Sequence, residues 1–359
     1  MNSLGFNKRK SDTRVFVAMS GGVDSSVAAV LLKKEGYNVI GVTLRLYSQV
    51  SRKSSKSCCA GQDIEDAKKV AQQFNFPHYV FDYQDQFFKG VIDNFVESYA
   101  QGETPIPCVK CNQTVKFTDL LKVAKDQKAD TLVTGHYIRR IGDKKNAKMF
   151  KAKDIKKDQS YFLFATTKEQ LNFLRFPIGE FFKSEIREMA KNLSLPVKDK
   201  PDSQDICFVT QDSYRALIEK IKPESIIKGK IVNINGETIG QHNGIVNYTI
   251  GQRKGIGIGG SKNPIYVIDI DKKNNLIVLG EKKYLEKSAI NIQNINWIAD
   301  NINHKNEIRC FAKIRSTQKE EPGTLIINGD KAKYVFDKTI SSTSPGQACV
   351  FYLNNQVLG

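Results

Sequence analysis

Three cysteines stand in polar or proline-containing stretches where a thiol can do chemistry. "TPIPCVKCNQ" holds Cys108 and Cys111, and "KPDSQDICFV" holds Cys207. One thiolate can carry a second sulfur atom as a persulfide, and another can resolve it by forming a disulfide. Cys111 precedes the helical pattern "NQTVKFTDLLKVAK", and a helix N-terminus lowers the pKa of a thiol below about 8.5. We therefore expect Cys111 to open this helix as a reactive thiolate and Cys207 to lie on a loop.

A loop rich in glycine and serine follows an apolar run in "VAMSGGVDSSVAAVLLKKEGY". Gly21 and Gly22 let the backbone approach a ligand closely, and the N–H groups of the first helical turn point at it. Three serine hydroxyls add donors, and Asp24 can cap the helix or help to hold Mg²⁺. The loop has neither the Gly-Lys-Ser/Thr of a Walker A loop nor a G-x-G-x-x-G pattern. Its spacing predicts a phosphate-binding loop between a strand and a helix.

The elements that must position these residues alternate along the first half of the chain. The predicted strands are 14–19, 38–44, 78–82 and 129–137. The predicted helices are 25–35, 63–74, 84–102, 112–127, 168–174 and 183–192. Such alternation is typical of βαβ units and a parallel sheet. We predict an α/β nucleotide-binding catalytic domain over residues 1–205.

The second half of the chain has a different texture, with short alternating apolar runs and many glycines. Residues 206–285, which include "YTIGQRKGIGIGG", are predicted to form a central β-rich domain. Residues 286–359 contain strand patterns at regular spacing, which predict a small β-barrel. The predicted architecture is therefore an α/β domain with a parallel sheet, followed by two smaller β-rich domains.

Composition limits the class of protein. The chain has 55 Lys and Arg against 38 Asp and Glu, a net charge of +17, which suits a polyanionic partner such as a nucleic acid. No apolar run approaches the roughly 18 residues of a membrane span. The basic stretch "MNSLGFNKRKSDTR" lacks the apolar segment of a secretory signal, and we expect a frayed leader there. Seven cysteines, an odd number, favour thiols in a reducing cytoplasm over a disulfide framework.

The remaining cysteines carry no predicted chemistry. Cys310 and Cys349 lie in apolar strand patterns and are expected to be small core residues, while the neighbours Cys58 and Cys59 receive no role. The chain has four histidines and no second α/β pattern, so a glutaminase domain that supplies ammonia is excluded. Sulfur is therefore the group that we expect the cysteines to transfer.

At these motifs the chain resembles known families. "SGGVDSS" after the first strand looks like the PP-loop of ATP pyrophosphatases, which release pyrophosphate and transfer AMP to a substrate oxygen. Six further stretches, in the same order along the chain, are similar to the tRNA-specific 2-thiouridylase family. They are "TPIPCVKCNQTVKF", "TGHY", "KDQSYFL", "KPDSQDICFV", "YTIGQRKGIGIGG" and "SPGQACVFY". The resemblance runs from the first strand to the C-terminal strand.

The resemblance assigns roles by position. Cys111 matches the nucleophile of the family, Cys207 its persulfide carrier, and Cys108 stands where many members carry an aspartate thought to act in acid–base catalysis. The positions that match ATP contacts are Ala18, Met19, Ser20, Gly21, Gly22, Val23, Asp24, Ser25, Leu44 and Gly135. The positions around the target base are Ile106, Pro107 and Cys108. The positions that face tRNA are His136, Lys157, Asp158, Gln159 and Gln347, to which we add Arg315 and Gln318 of "KIRSTQ".

The resemblance also implies a reaction. A uridine at wobble position 34 of tRNA is flipped out of its stack, and ATP, with Mg²⁺, adenylates its C2 oxygen. A persulfide on Cys207, loaded by a sulfur-relay protein or a cysteine desulfurase, delivers sulfur to C2. Cys111 then attacks Cys207 and leaves a disulfide for a reductant to open. We expect a cytoplasmic monomer with no permanently bound metal.

Other functions remain open on the residues alone. Cys108, Cys111 and Cys207 could hold an iron–sulfur cluster, as in 2-thiocytidine synthetases, although those proteins have a different first loop and lack the β-rich half. A structural zinc site would need a fourth ligand from Cys58 or Cys59. A tRNA-binding protein without catalysis would show binding that weakens with salt and no ATP-dependent product.

Overall fold

The computed structural model describes most of the chain. The described residues are 1–47, 61–143, 145–202, 206–209, 213–259, 263–300, 302, 306–341 and 343–359. Cys58, Cys59 and residues 203–205 of the Cys207 motif lie outside them. Within the described residues, no helix is long and apolar enough to cross a membrane.

A five-stranded parallel sheet forms the centre of the first half, in the order β3-β2-β1-β4-β7. Its strands are β1 (Arg14–Ala18), β2 (Asn38–Arg45), β3 (His78–Asp82), β4 (Thr131–Thr134) and β7 (Leu174–Arg175). The central strand β1 is apolar on both faces, since Val15 and Val17 are fully buried on one side and Phe16 is buried on the other. Helices cover both faces of a sheet of this kind. The α/β prediction with a parallel sheet is confirmed.

Two helices of the chain change from α-helical to π-helical geometry along their length. The α-helices are α1 (Val23–Lys34), α2 (Gly61–Gln73), α3 (Gln84–Phe87), α4 (Asp93–Ala100), α5 (Pro107–Cys111), α6 (Leu121–Asp126), α7 (Lys168–Phe173), α8 (Lys183–Asn192) and α9 (Ser213–Ile221). A π-helical segment, Phe88–Ile92, joins α3 to α4, and a second, Asn112–Leu120, joins α5 to α6. Short 3₁₀ turns lie at Ile155–Lys157, Ser160–Leu163, Pro223–Ser225, Ile245–Asn247 and Lys282–Leu285. The helix that carries Cys111 is therefore continuous from Pro107 to Asp126.

The basic N-terminal stretch is packed against the first domain. Leu4 and Phe6 are buried. Arg175 on β7 donates from Nε to the carbonyl oxygen of Leu4 at 2.8 Å, and its guanidinium lies 4.9 Å from the ring centroid of Phe6. The expectation of a frayed leader is wrong, because two apolar residues within the basic stretch find a buried site and a cation that lies over one ring.

The second half contains two antiparallel or mixed sheets. A four-stranded sheet has the order β10-β11-β8-β9, and its strands are β8 (Gly229–Asn233), β9 (Thr238–His242), β10 (Tyr266–Asp271) and β11 (Leu276–Gly280). An eight-stranded sheet has the order β12-β15-β14-β13-β16-β17-β6-β5. Six of its strands are β12 (Lys287–Gln293), β13 (Glu307–Lys313), β14 (Glu321–Asn328), β15 (Lys331–Ile340), β16 (Val350–Leu353) and β17 (Gln356–Val357).

The last two strands of that sheet come from the first half of the chain. β5 (Ile138–Ile141) and β6 (Lys148–Lys151) form a hairpin, and β6 pairs with β17 at Phe150 and Gln356. The hairpin was not among the predicted strands. It joins the first half of the chain to the C-terminal half by backbone hydrogen bonds.

Candidate active site

The predicted phosphate loop connects β1 to α1, with Gly22 at the N-cap position of the helix. Gly21 has a φ of +71°, and a Cβ atom there would lie 2.1 Å from the carbonyl oxygen of Asp63 on α2. Glycine is required at this position both by the backbone conformation and by the contact. The carbonyl oxygen of Gly21 accepts a hydrogen bond from Nζ of Lys200 at 3.0 Å. The loop is thus held in place by the packing of α2 against Gly21 and by the hydrogen bond from Lys200.

The serine hydroxyls organise the loop itself. The backbone N–H of Ser20 donates to Oγ of Ser25 at 3.1 Å, and Oγ of Ser26 donates to the carbonyl oxygen of Gly22 at 2.8 Å. Ser25 and Ser26 are both buried. These contacts fix the curvature of the loop before any ligand binds, which is how a preformed anion site is built.

Gly135 packs against the start of α1. It follows β4, and a Cβ atom at this position would lie 2.7 Å from the backbone nitrogen of Ser25 and 2.9 Å from the carbonyl carbon of Asp24. β4 is the parallel neighbour of β1. The structure therefore brings Gly135 to the phosphate loop, at the carboxyl edge of the sheet where nucleotides bind in folds of this class.

Leu44, the remaining predicted ATP position, lies on the other neighbour of β1. It is buried on β2, two residues after Val42, which pairs with Ala18. Leu44 therefore stands at the same carboxyl edge as the phosphate loop, on the opposite side of it from Gly135.

Asp24, the acidic residue of the loop, is held by two side chains. Nζ of Lys183 on α8 donates to Oδ1 at 2.6 Å and to Oδ2 at 2.7 Å, and the hydroxyl of Tyr137 donates to Oδ1 at 2.8 Å. Burial and the nearby carboxylate raise the pKa of Tyr137, so it remains a donor. The side chain of Lys183 is only 11% exposed. Sequence reasoning did not find either partner, because both are distant from the loop along the chain.

Asp202 extends this network toward the Cys207 segment. Its carboxylate contacts Lys183 at 3.0 Å and Lys157 at 2.8 Å, and it also accepts a hydrogen bond from Arg187. Burial by itself raises the pKa of Asp202, but the hydrogen bonds from Lys157 and Lys183 outweigh it and hold the pKa well below its usual range. Asp202 lies in the quoted motif "KPDSQDICFV", which was its one sequence signal.

The helix that carries the two neighbouring cysteines begins earlier than predicted. It starts at Pro107, with Ile106 as the N-cap residue, because proline is favoured in the first helical turn where its missing N–H is not needed. Cys108 lies in the first turn and is exposed, while Cys111 is the fifth helical residue and is 7% exposed. The prediction that Cys111 opens the helix is wrong, because Cys108, and not Cys111, lies in the first helical turn.

Cys207 and Cys111 belong to the same large apolar cluster. Cys111 is among the buried residues of that cluster, and the half-buried Cys207 packs against it. The next residue, Phe208, anchors the segment through edge-on contacts with the rings of Phe87 and Phe95 at 5.7 and 5.2 Å between centroids. The structure thus brings the two predicted sulfur-handling residues to the same cluster, from positions 96 residues apart.

A side-chain hydrogen bond also fixes the Cys207 segment. The carbonyl oxygen of Cys207 accepts from the hydroxyl of Tyr47 at 2.7 Å. Tyr47 follows β2, so the segment is tied to the carboxyl edge of the sheet.

His136 is enclosed by aromatic rings. Its ring centroid lies 6.0 Å from that of Phe117 and 6.5 Å from that of Phe176, both at steep angles, and Nδ1 is 2.8 Å from Oγ1 of Thr134. Burial lowers the pKa of His136 to about 3, so the ring is neutral at physiological pH.

The neighbouring predicted positions also make internal contacts. Asp158 accepts hydrogen bonds from the backbone N–H of Ala152 at 2.8 Å and from the hydroxyl of Ser160 at 2.6 Å. Oε1 of Gln159 accepts from the backbone N–H of Tyr137 at 2.9 Å. Gln159 therefore holds the backbone close to Gly135, while Asp158 holds the turn that follows β6.

The predicted contacts of the C-terminal half lie on two turns. Arg315 follows β13 and donates to the carbonyl oxygen of Ile250 in the central sheet domain at 3.2 Å, and the N–H of Gln318 donates to the carbonyl oxygen of Arg315 at 3.2 Å. Gln347 precedes β16, and its Nε2 donates to the carbonyl oxygen of Thr104 at 2.8 Å. Gln347 therefore stands beside the segment that leads into the cysteine helix.

The other described cysteines are core residues, as predicted. Cys310 is buried in the C-terminal sheet, and Cys349 packs against the same cluster. Burial raises the pKa of Cys310 to about 12, so it stays protonated. In the part of the chain that the structure describes, no group of three or more His, Cys, Asp or Glu side chains is arranged to hold a metal ion.

Three family models match consecutive parts of the chain. They are described as a tRNA methyl transferase HUP domain (residues 13–211), a tRNA methyl transferase PRC-barrel domain (215–281) and an aminomethyltransferase β-barrel domain (287–359).

Curated relatives match over nearly the whole length. The tRNA-specific 2-thiouridylase MnmA of Rickettsia massiliae (strain Mtu5) is 49% identical over 355 residues, which are 98% of this chain and 97% of that protein. The protein of the same name from Wolbachia sp. subsp. Brugia malayi (strain TRS) is 50% identical over 358 residues, 98% of this chain and 95% of that protein. A solved 4-thiouridine synthetase–RNA complex with bound ATP matches 59% of this chain and 50% of its own, with 14% identity and a TM-score of 0.33.

Proposed function

This chain belongs to the tRNA-specific 2-thiouridylase family, and we propose on that basis that it is a sulfurtransferase that makes 2-thiouridine at wobble position 34 of tRNA at the expense of ATP. One structural observation supports the proposal beyond the family. The phosphate loop and the two sulfur-handling cysteines all lie in the part of the chain that matches the HUP-domain model, residues 13–211. In that part, Lys200 donates a hydrogen bond to the carbonyl oxygen of Gly21, and Cys207 packs against the apolar cluster that contains Cys111.

The first step activates the uridine. ATP, entering as its magnesium complex, occupies the loop from Ala18 to Ser25 between Leu44 and Gly135. The C2 oxygen of uridine attacks the α-phosphorus, pyrophosphate leaves, and the oxygen becomes part of an AMP leaving group. The buried first turn of α1 presents its N–H groups to the phosphates. Lys183 neutralises Asp24, so that this carboxylate does not repel the triphosphate.

The second step delivers sulfur. The terminal sulfur of a persulfide on Cys207 attacks C2, and the C–O bond to AMP breaks. The thiolate of Cys111 then attacks the inner sulfur of Cys207, breaks the S–S bond and leaves the outer sulfur on C2. A Cys111–Cys207 disulfide results, and a cytoplasmic thiol reductant reopens it. A partner protein that carries a persulfide recharges Cys207.

The remaining predicted residues place the tRNA. We assign catalysis to residues 1–205 together with Cys207, which stands just beyond them, and we assign the rest of the central domain (206–285) and the β-barrel (286–359) to support of the tRNA. Ile106 and Pro107 border the flipped base, and the exposed Cys108 in the first helical turn is the nearest candidate for proton transfer. The residues proposed to face tRNA are His136, Lys157, Asp158, Gln159, Arg315, Gln318 and Gln347. The net charge of +17 suits this partner.

Nucleoside mass spectrometry tests the proposal. Purified protein is incubated with unmodified tRNA, MgATP and a persulfide donor, beside Cys111→Ser, Cys207→Ser and, as the matched control, Cys310→Ala. We expect 2-thiouridine and equimolar AMP from the wild type and the control, and neither cysteine variant should turn over. Thiocytidine as the product, with iron in anaerobically purified protein, would establish the cluster enzyme instead. If no thionucleoside forms with any of several sulfur donors, the protein is a tRNA binder.

A further inference from the structure

A turn of the C-terminal domain holds one residue of the first domain by three hydrogen bonds. The N–H of Thr104 donates to the carbonyl oxygen of Pro345 at 2.9 Å, and its hydroxyl lies 2.9 Å from that of Ser344. Its carbonyl oxygen accepts from Nε2 of Gln347 at 2.8 Å. Every polar group of Thr104 is therefore bonded to the turn formed by residues 344–347.

The residue in the middle of this turn, Gly346, packs so closely against Thr104 that a side chain there would be strained. Gly346 has a φ of +85°, and a Cβ atom there would lie 3.0 Å from both the nitrogen and the oxygen of Thr104, and 3.0 Å from Cβ of Glu103. A side chain at this position would meet backbone atoms, which cannot rotate away. The turn therefore contacts the Thr104 segment both through hydrogen bonds and through close van der Waals packing.

The held residue is a short distance from the cysteine helix. Only Pro105 and Ile106 separate Thr104 from the first helical residue, Pro107. Two prolines in three residues fix φ and restrict the residue before each, so this stretch has little freedom to absorb a shift. The carbonyl oxygen of Ile106 already accepts the first hydrogen bond of the helix, from Val109 at 3.0 Å. A displacement of Thr104 therefore moves the first turn, in which Cys108 lies.

We propose that the 344–347 turn is a positioning clamp for the cysteine helix, through which the C-terminal barrel sets the place of Cys108 and Cys111 in the first domain. Gln347 gives one amide hydrogen to Thr104 and keeps its second hydrogen and Oε1 for another partner. If that partner is tRNA, which is the part that rests on the proposed function, binding on the barrel stabilises the clamp. The clamp in turn favours binding by the same free energy.

Two variants loosen the clamp and two matched variants do not. Gly346→Ala introduces the clash with Thr104, and Thr104→Val removes one of its three hydrogen bonds. Gly329→Ala is the control for the first, because Gly329 also has a positive φ, +58°, in the same domain but faces open space. Thr324→Val is the control for the second, since Thr324 lies within β14 of the barrel. Thermal unfolding verifies that each variant is folded.

The first readout does not depend on any activity. The rates at which iodoacetamide alkylates Cys108 and Cys111 are measured in the free protein by peptide mass spectrometry. We expect both rates to change at least threefold in Gly346→Ala, less in Thr104→Val, and to stay at the wild-type value in the two controls. Wild-type rates in folded Gly346→Ala and Thr104→Val proteins would overturn the proposal.

The second readout is single-turnover formation of 2-thiouridine with saturating tRNA and ATP. We expect the rate to fall about tenfold in Gly346→Ala, while the KM for ATP, measured separately by AMP release at varied ATP concentration, is unchanged because the phosphate loop lies elsewhere. If the wild type makes no thionucleoside but the alkylation rates still respond to the clamp variants, the proposed function fails and the clamp stands. If the variants alter the KM for ATP and leave alkylation unchanged, the clamp is refuted.

Discussion

Nζ of Lys183 lies 2.6 Å from Oδ1 and 2.7 Å from Oδ2 of Asp24. A nearly buried lysine on α8 therefore contacts both carboxylate oxygens of the phosphate loop's acidic residue. The same ammonium group is 3.0 Å from Asp202. One cation thus joins the loop proposed to bind ATP to the segment that continues to Cys207. The contacts of Lys183 with two carboxylates hold its ammonium group in place between the loop and Asp202.

Removal of this cation should impair the use of ATP. In Lys183→Met, Asp24 and Asp202 lose a common partner, and a negative charge faces the triphosphate. Breaking a fully buried ion pair costs about 3–5 kcal/mol, but Asp24 is about a third exposed, so we expect a loss nearer one or two kcal/mol. That loss concerns folding stability. In addition, a repulsion of about 1.4 kcal/mol between the uncompensated carboxylate and the triphosphate is a factor of ten, so the KM for ATP should rise roughly tenfold, as measured by AMP release with saturating tRNA.

Two further variants separate charge from structure in this prediction. Lys183→Arg keeps the cation and should restore part of the loss, while Lys191→Met, at an exposed position of the same helix, should leave the KM for ATP unchanged. A KM for ATP in Lys183→Met equal to that of the wild type would refute the role of the lysine.

The close approach of Gly135 to α1 predicts a steric effect. In Gly135→Ala the added carbon lies 2.7 Å from the nitrogen of Ser25, too close for any rotation to relieve. The loop must shift, so we expect a lower Tm and loss of most ATP-dependent activity. In Gly22→Ala the nearest atom is Oγ of Ser20 at 3.5 Å and φ is −92°, so its Tm should stay close to that of the wild type. Equal Tm values for the two variants would contradict the geometry.

The partly buried ring of His136 predicts a pH effect on stability. Its pKa is lowered to about 3 by burial, whereas that of the unfolded chain is about 6.5. Between these values the unfolded chain binds a proton that the folded protein does not. This contribution to stability is therefore fully present above pH about 6.5 and is lost progressively as the pH falls. When the pH is lowered from 7 to 5, the Tm of His136→Gln should fall by less than the Tm of the wild type. Parallel Tm profiles for the two proteins would show that the histidine does not titrate in this way.

Cys108 predicts a shift in the pH dependence of the reaction. If it accepts a proton, its replacement by a carboxylate keeps the function, because an unperturbed Asp ionises near pH 3.9 and an unperturbed Cys near pH 8.5. Cys108→Asp, exposed in the first helical turn where an anion is favoured, should fold normally and work at lower pH than the wild type. Cys108→Ala should be nearly inactive. Full activity of the alanine variant at every pH would assign proton transfer to another group.

The local parts of the fold could be predicted from the sequence. The strand, phosphate loop and helix over residues 14–34 follow from an apolar run, two glycines and helical spacing, all within one short window. The start of the cysteine helix was misplaced because the helical pattern after Cys111 is stronger than that before it. The proline at position 107 was the signal that marked the true start.

The contacts between distant positions could not be predicted in this way. Lys183 meets Asp24 from 159 positions away, and Leu4 accepts a hydrogen bond from Arg175 across 171 positions. No periodicity or spacing links such pairs. They form because the sheet brings its carboxyl edge and the N-terminal stretch beside α8 and β7, which only the folded chain specifies.

The hairpin of β5 and β6 has a consequence for how the chain is made. Phe150 of β6 pairs with Gln356 of β17, so roughly two hundred residues must be synthesised after the hairpin before its partner strand exists. Until then one side of β6 presents unpaired backbone groups, and an open strand edge of this kind invites pairing with another chain. Truncation before β17 would leave the catalytic half in that state permanently. We therefore expect the final strands to protect the first domain from aggregation as well as to complete the barrel.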